Sequence, residues 1–212
     1  MDKKRKAEQI TPDLSRRDFL RGSAAGAVTT GVLQRASGAP SASTSEGVQG
    51  PETVNIKLRV NGRWRRVDLE PRTTLLDTLR NHLDLTGAKK VCDRATCGSC
   101  TILIDGKPVY SCSTLAIEAQ HSEIITIEGL GTEKNMDPVQ SAFVDHDAQQ
   151  CGFCTPGFVI ACKAFLERHP NPTQEQINTG LGGNLCRCGT YAGIRPAVLQ
   201  AAGVLKGGAT NA

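Results

Sequence analysis

Eight cysteines in two tight groups constrain this chain more than any other feature of its 212 residues. Cys92, Cys97, Cys100 and Cys112 follow the spacing C-x4-C-x2-C-x11-C, and Cys151, Cys154, Cys186 and Cys188 follow C-x2-C-x31-C-x-C. A fold that hosts them must turn sharply within each group and bring a distant segment back to close it. Structural zinc would take four thiolates on one ion, yet the x11 and single-residue separations fit its usual spacing poorly. Disulfides suit an exported protein, although an odd total and the near-adjacent Cys186 and Cys188 argue against complete pairing.

The third chemistry is iron-sulfur. The C-x4-C-x2-C run is the plant-type spacing for a 2Fe-2S cluster held by four thiolates. It places three sulfurs on one tight loop, and Cys112 is expected to arrive from a separate strand. Between them, "TILIDGKPVYSC" alternates apolar and polar residues around Asp105-Gly106 and predicts a β-hairpin. The second quartet falls among helix ends. Thr155-Pro156 opens the run "GFVIACKAFLERH", with proline tolerated in the first turn, and Pro170 closes it. Thr173 and Gln176 form a capping-box pair for "QEQINTGL", and Ile194–Lys206 predicts a further helix with Pro196 near its start. Upstream, "TVNIKLRVNGRWRRVDLE" predicts two strands about Asn61-Gly62. "TTLLDTLRNHL" predicts a helix with Leu75, Leu76, Leu79 and Leu83 on one face, and "EIITIEGL" a closing strand. Trp64 is expected to pack. Cys162, the ninth cysteine, belongs to neither group and reads as a small buried hydrophobe. His82, His121, His146 and His169 lie outside both quartets, which excludes a Rieske-type histidine site.

The N-terminus asks a different question. Ser15-Arg16-Arg17-Asp18-Phe19-Leu20-Arg21 precedes an uncharged stretch, Gly22 to Gln34, and a small-residue tail, the order of an export signal. The paired arginines resemble the twin-arginine address, which carries folded proteins and so suits a cofactor inserted before export. The uncharged stretch is 13 residues long, short of the about 20 apolar residues a spanning helix needs, so no membrane span is expected. Of the 25 Lys/Arg and 21 Asp/Glu, residues 1–50 hold 8 and 5, leaving 17 and 16 in the body. That near-neutral balance lacks the clustered positive charge on which nucleic-acid binding depends.

With both quartets in place, the motifs "CDRATCGSCTILIDG" (Cys92 to Gly106), "QCGFCTPG" (Gln150 to Gly157) and "GNLCRCGTY" (Gly183 to Tyr191) resemble the iron-sulfur subunit of the molybdenum hydroxylase family, which includes xanthine dehydrogenases and aldehyde oxidoreductases. The resemblance covers residues 52 to 206 and, with the export signal, is greatest to periplasmic aldehyde oxidoreductases. It implies an α+β chain: a twin-arginine signal and linker over 1–50, a β-grasp ferredoxin-like domain over 51–130, and an all-α four-helix-bundle domain over 131–212, with one 2Fe-2S cluster in each domain. The ligands implied are Cys92, Cys97, Cys100 and Cys112 for the first cluster and Cys151, Cys154, Cys186 and Cys188 for the second. Gln150 and Cys188 match positions that approach the molybdopterin of a large catalytic subunit, and Arg187 could raise the second cluster's potential through its charge. The resemblance further implies a partner carrying FAD, or a c-type cytochrome, as acceptor, with no catalytic residue in this chain and export to the periplasm with removal of the signal.

Two departures stand out. Val91 and Ala95 occupy positions where relatives commonly have glycine, and a left-handed backbone at 95 would cost alanine roughly 1–2 kcal/mol. "CGTY" reverses the commoner threonine-glycine order after the last cysteine, a form associated with exported and isoquinoline-oxidising members. Alternatives are the small subunit of an isoquinoline- or xanthine-type hydroxylase with a cytochrome acceptor, and a free periplasmic ferredoxin-like carrier.

Overall fold

The computed structural model describes residues 50–209; the export segment lies outside them. From residue 50 onward the described chain is part of one compact unit. Strands β1 (Val54–Val60) and β2 (Arg63–Leu69) form the predicted hairpin, in register from Val54 opposite Leu69 to Val60 opposite Arg63. Ile56, Leu58 and Val60 turn into the core and are buried, while Lys57 and Arg59 face water. Asn61 and Gly62 both carry positive φ, 51° and 74°, as a two-residue turn matched to strand twist requires. Trp64 departs from expectation. It is 56% exposed on the outer face, with the Lys57 ammonium 4.5 Å above its ring, a cation–π contact rather than core packing.

The expected leucine-rich helix begins as α1 (Leu75–Asp77), capped by the Thr74 side chain, and widens into a π-helical turn over Thr78–His82. The Thr78 hydroxyl bonds back to the Thr74 carbonyl at 2.9 Å, and Leu83 N–H reaches the Thr78 carbonyl. Leu75, Leu76 and Leu79 are fully buried against the sheet. Strands β3 (Thr101–Ile104) and β4 (Lys107–Tyr110) form the second hairpin, turning at Asp105 and Gly106 with φ of 50° and 74°. The closing strand β5 is Glu123–Ile125, shorter than "EIITIEGL", which continues as a 3₁₀ turn over Ile127–Gly129. The five strands form one mixed sheet in the order β2-β1-β5-β3-β4, with β1 and β5 parallel and the other pairs antiparallel.

Four helices follow among the described residues: α2 (Pro138–Asp145), α3 (Thr155–Arg168), α4 (Gln174–Gly180) and α5 (Tyr191–Ala209). The α4 capping box is present as predicted, Thr173 with Gln176. α5 starts three residues earlier than the predicted Ile194 and holds Pro196 inside it. α2 is a helix that the sequence reading missed. Asp137 caps it, Gln140 completes a capping box and Pro138 opens its first turn; Lys163 on α3 pairs with Asp137 at 2.9 Å. Phe143, Phe158, Phe165, Ile177, Ile194 and Val198 meet in the helical core. Cys162 lies there too, fully buried as expected. β3 ties the two layers together: Ile102 faces the sheet's own core, whereas Leu103 faces Ile160 and Ala164 of α3. A mixed sheet with helices packed on it is thus the observed class. No helix among the described residues is long and apolar enough to cross a membrane.

Candidate metal centres

The first quartet is built by backbone geometry. Between Cys92 and Cys97, Asp93 and Ala95 take left-handed φ values of 54° and 53°. These turns aim amides inward: Ala95 N–H reaches the Cys112 sulfur at 3.3 Å and Thr96 N–H the Cys92 sulfur at 3.4 Å. Alternation of left- and right-handed residues makes such concave amide nests, which suit anionic centres including iron-sulfur sites. Position 95 is therefore left-handed, as the alanine departure feared, whereas Val91 is simply exposed. Cys112 comes from the turn Ser111–Ser113 that follows β4 rather than from a strand. Cys100 and Cys112 are buried, and Cys92 and Cys97 half-buried.

The second quartet gathers where three helix ends meet. Cys151 follows the α2 exit loop, Cys154 is the N-cap of α3, and Cys186 and Cys188 lie between α4 and α5. Cys186 is buried, Cys154 half-buried, and Cys151 and Cys188 are exposed. The phenol oxygen of Tyr191 accepts from Cys186 N–H at 2.8 Å, and the Thr190 hydroxyl lies 3.0 Å from the Cys186 sulfur.

Within each quartet the thiols stand two by two. Cys92 lies beside Cys97, Cys100 beside Cys112, Cys154 beside Cys186, and the Cys151 and Cys188 sulfurs are 3.5 Å apart. All nine cysteines are free thiols, and 3.5 Å is far beyond a disulfide bond of about 2.05 Å. Among the described residues no three candidate ligands close on a point suited to one ion. Two pairs of thiolates, one pair for each iron, are what a 2Fe-2S core demands, whereas a single tetrahedral zinc wants all four on itself. The donor set therefore fits the iron-sulfur group.

The thiols differ in acidity. Thr96 N–H, then Arg94 N–H, hold Cys92 down to about 6, and Phe153 N–H lowers Cys151. Burial pushes Cys100 up to about 12 and, with Cys186 beside it, Cys154 up to about 12. At Cys186 burial acts upward but is outweighed by the Thr190 hydroxyl and N–H, leaving the thiol at about 7. Cys188 is raised by its neighbour Cys151. Cys162 is raised by burial alone, which marks it as inert.

The two centres share a wall. The Cys97 carbonyl accepts from Leu185 N–H at 2.9 Å, so a short bonded route runs from the first quartet to the residue before Cys186. Asn184, buried, donates to the Gly98 carbonyl at 2.9 Å, and the Tyr110 hydroxyl donates to the Gly183 carbonyl at 2.9 Å. Gly157 lets α3 lie against this seam, since a Cβ there would strike the Gly98 carbonyl oxygen. Cysteines of both quartets, Cys97 with Cys151, Cys154, Cys186 and Cys188, line one cavity of about 410 Å³, with Phe153, Leu185 and Arg187. Gln150 sits exposed beside Cys151, four residues past the α2 C-cap His146, so it caps no helix. Arg187 forms no ion pair among the described residues. The sequence reading missed Asn184 and the two tyrosines; nothing in the spacing marks a buried amide or a phenol that reaches a backbone 73 residues away.

Comparison with known proteins points to iron-sulfur families. Residues 65–150 match the 2Fe-2S iron-sulfur cluster binding domain family and residues 126–199 the 2Fe-2S binding domain family, while residues 13–32 match the twin-arginine translocation pathway signal sequence. The chain is 41% identical to the aldehyde oxidoreductase iron-sulfur-binding subunit PaoA of Escherichia coli strain K12, over 91% of this chain and 90% of that one. It is 47% identical to the nicotine 6-hydroxylase small subunit of Paenarthrobacter nicotinovorans, over 72% of this chain and 92% of that one. Among solved structures, quinoline 2-oxidoreductase from Pseudomonas putida 86 superimposes with a TM-score of 0.71 at 40% identity, covering 74% of this chain and 98% of the matched chain.

Proposed function

Because the chain belongs to the family of iron-sulfur subunits of molybdenum hydroxylases, we propose that it relays electrons from the molybdopterin site of a large subunit that oxidises aldehydes in the periplasm. The observation that carries the reading is the pair of two-by-two thiol quartets joined through the Cys97 carbonyl and Leu185 N–H, with the second quartet open to the surface at Cys151 and Cys188. The 2Fe-2S groups supply one-electron carriers; everything else is what the protein does around them. Cys92 and Cys97 would hold one iron of the first cluster, and Cys100 and Cys112 the other. Cys151 with Cys188, and Cys154 with Cys186, would hold the irons of the second. The nest at Asp93 to Thr96 steadies negative charge on the first, and Arg187, without an ion pair among the described residues, lies beside the second.

The same reading divides the body into a β-grasp ferredoxin-like domain, 51–130, and a four-helix bundle, 131–212. It sets Gln150 and Cys188 toward the molybdopterin, where the Gln150 amide could hydrogen-bond the pterin edge. The acceptor beyond the first cluster is a FAD-binding subunit or a c-type cytochrome. The aldehyde assignment is supported by likeness over 91% of this chain to a subunit named for aldehyde oxidation. Purifying the tagged complex from the periplasm tests all of this at once. We expect about four irons per chain, two per cluster, molybdenum in the same fraction, and bleaching of the clusters by an aldehyde. Zinc without iron, or reduction by N-heterocycles and not by aldehydes, overturns the respective part.

A further inference from the structure

Thr190 stands between the second quartet and the start of α5 and serves both. Its carbonyl oxygen takes the N–H groups of Gly193 and Ile194, each at 3.0 Å. Accepting the first such bond is what any helix-opening carbonyl does, while a threonine hydroxyl there ordinarily takes the second or third amide of the helix as an acceptor. Here the hydroxyl instead lies 3.0 Å from the Cys186 sulfur. A hydroxyl carries one proton to give, and a thiolate can only accept, so Thr190 donates. The order Gly189-Thr190 makes the contact possible. Gly189 takes a φ of 80°, a conformation in which a β-branched residue is an outlier, so exchanging the two residues would strain the turn and leave no hydroxyl at 190.

We propose that Thr190 is a positioning residue that raises the reduction potential of the second cluster by donating its hydroxyl hydrogen bond to the Cys186 sulfur. This rests on the reading of Cys151, Cys154, Cys186 and Cys188 as the ligands of that cluster. Reduction adds one electron, supplied by the molybdenum site of the partner subunit, and with it one negative charge shared over irons and sulfurs. The Thr190 proton stays on its oxygen throughout. A donor aimed at a ligand sulfur strengthens as negative charge grows there, so the reduced form gains more than the oxidised one and the potential rises. Cys186 is only 8% exposed, which leaves little room for water to replace the hydroxyl. A threonine that merely braced the loop would affect assembly and leave the potential alone.

The test is an EPR-monitored redox titration of the assembled holoenzyme with wild type, Thr190→Val and Thr190→Ser, each also examined for an exchangeable proton coupled to the cluster spin. Wild type should show two 2Fe-2S signals on reduction. In Thr190→Val we expect the reduced-to-oxidised ratio of one signal, at fixed ambient potential, to fall about tenfold, which is about 59 mV for a one-electron couple. The other signal should keep its midpoint, and the coupled proton should be lost. Thr190→Ser should restore both potential and proton; should Thr190→Val assemble poorly, Thr190→Ala against Thr190→Ser gives the same comparison. Two signals with unmoved midpoints in the variants lacking the hydroxyl overturn the proposal and leave the ligand reading standing, as does an equal fall in the serine variant. Fewer than two 2Fe-2S signals in wild type overturn both.

Discussion

At Ala95 the φ of 53° puts a Cβ where a left-handed backbone resists one, at a cost of roughly 1–2 kcal/mol. The strain is tolerated because that turn aims Ala95 N–H at the Cys112 sulfur. Glycine removes the clash but has more freedom to lose on folding, about 0.5–1 kcal/mol. Ala95→Gly should therefore stabilise the chain by about 1 kcal/mol, seen as thermal bleaching of the cluster absorbance moving up by roughly 2–4 °C; an unchanged or lower temperature would count against strain at this position. Tyr191 shows the opposite case. Its phenol oxygen takes the Cys186 N–H at 2.8 Å, so Tyr191→Phe strands a donor on a proposed ligand and should cost about 1 kcal/mol, lowering the same bleaching temperature. Residue 95 was readable in the sequence as a misplaced alanine. Asn184 was not, since a side-chain amide that bridges to the Gly98 carbonyl looks in a sequence like any loop asparagine.

Among the elements, hairpins were the most legible. Asn61-Gly62 and Asp105-Gly106 announce their turns because few residue pairs accept two positive φ values in succession. Thr173 with Gln176 announced α4 in the same way. Asp137-Pro138-x-Gln140 carries an equally good start signal for the eight-residue α2, and it went unread. The π-helical turn after α1 was hidden for another reason: Leu83 N–H takes the Thr78 carbonyl five residues back, a choice made between backbone partners rather than by pattern. The critical junction is that of α3 with the Gly98–Ser99 loop. Gly157→Ala would push the helix off the seam at a cost of about 1–3 kcal/mol. We expect the second cluster still to be reduced by substrate at its usual rate, with the first following more slowly; stopped-flow absorbance of the two reductions would separate these, and equal rates would show that the seam does not set the relay.

For the molecule as a whole, the thiol acidities dictate how it takes up its metal. Ligation needs thiolates, so loading releases whatever protons the thiols hold. Cys100 and Cys154, pushed up to about 12, are protonated at neutral pH. Cys92, at about 6, and Cys186, at about 7, are thiolates above those values and regain protons as pH falls through them. Proton competition thus grows on acidification and relaxes as pH rises. Reconstitution of the apo chain with iron and sulfide should go further at pH 8 than at pH 6, counted as iron bound per chain, and a flat profile would argue against thiol ligation. Cys188→Ser should leave the chain folded, since that cysteine is exposed, yet lower turnover of the complex by well over tenfold, measured with substrate in excess.

Strand β3 presents Ile102 to one core and Leu103 to another, so it is lined on both sides. A piece ending near residue 130 would bare Leu103 and its neighbour Ile125 to water along an unshielded strand, and should clump rather than circulate as a small carrier. Each layer is thus the other's shelter, and cutting the chain between them uncovers a face that only the missing part was there to keep dry.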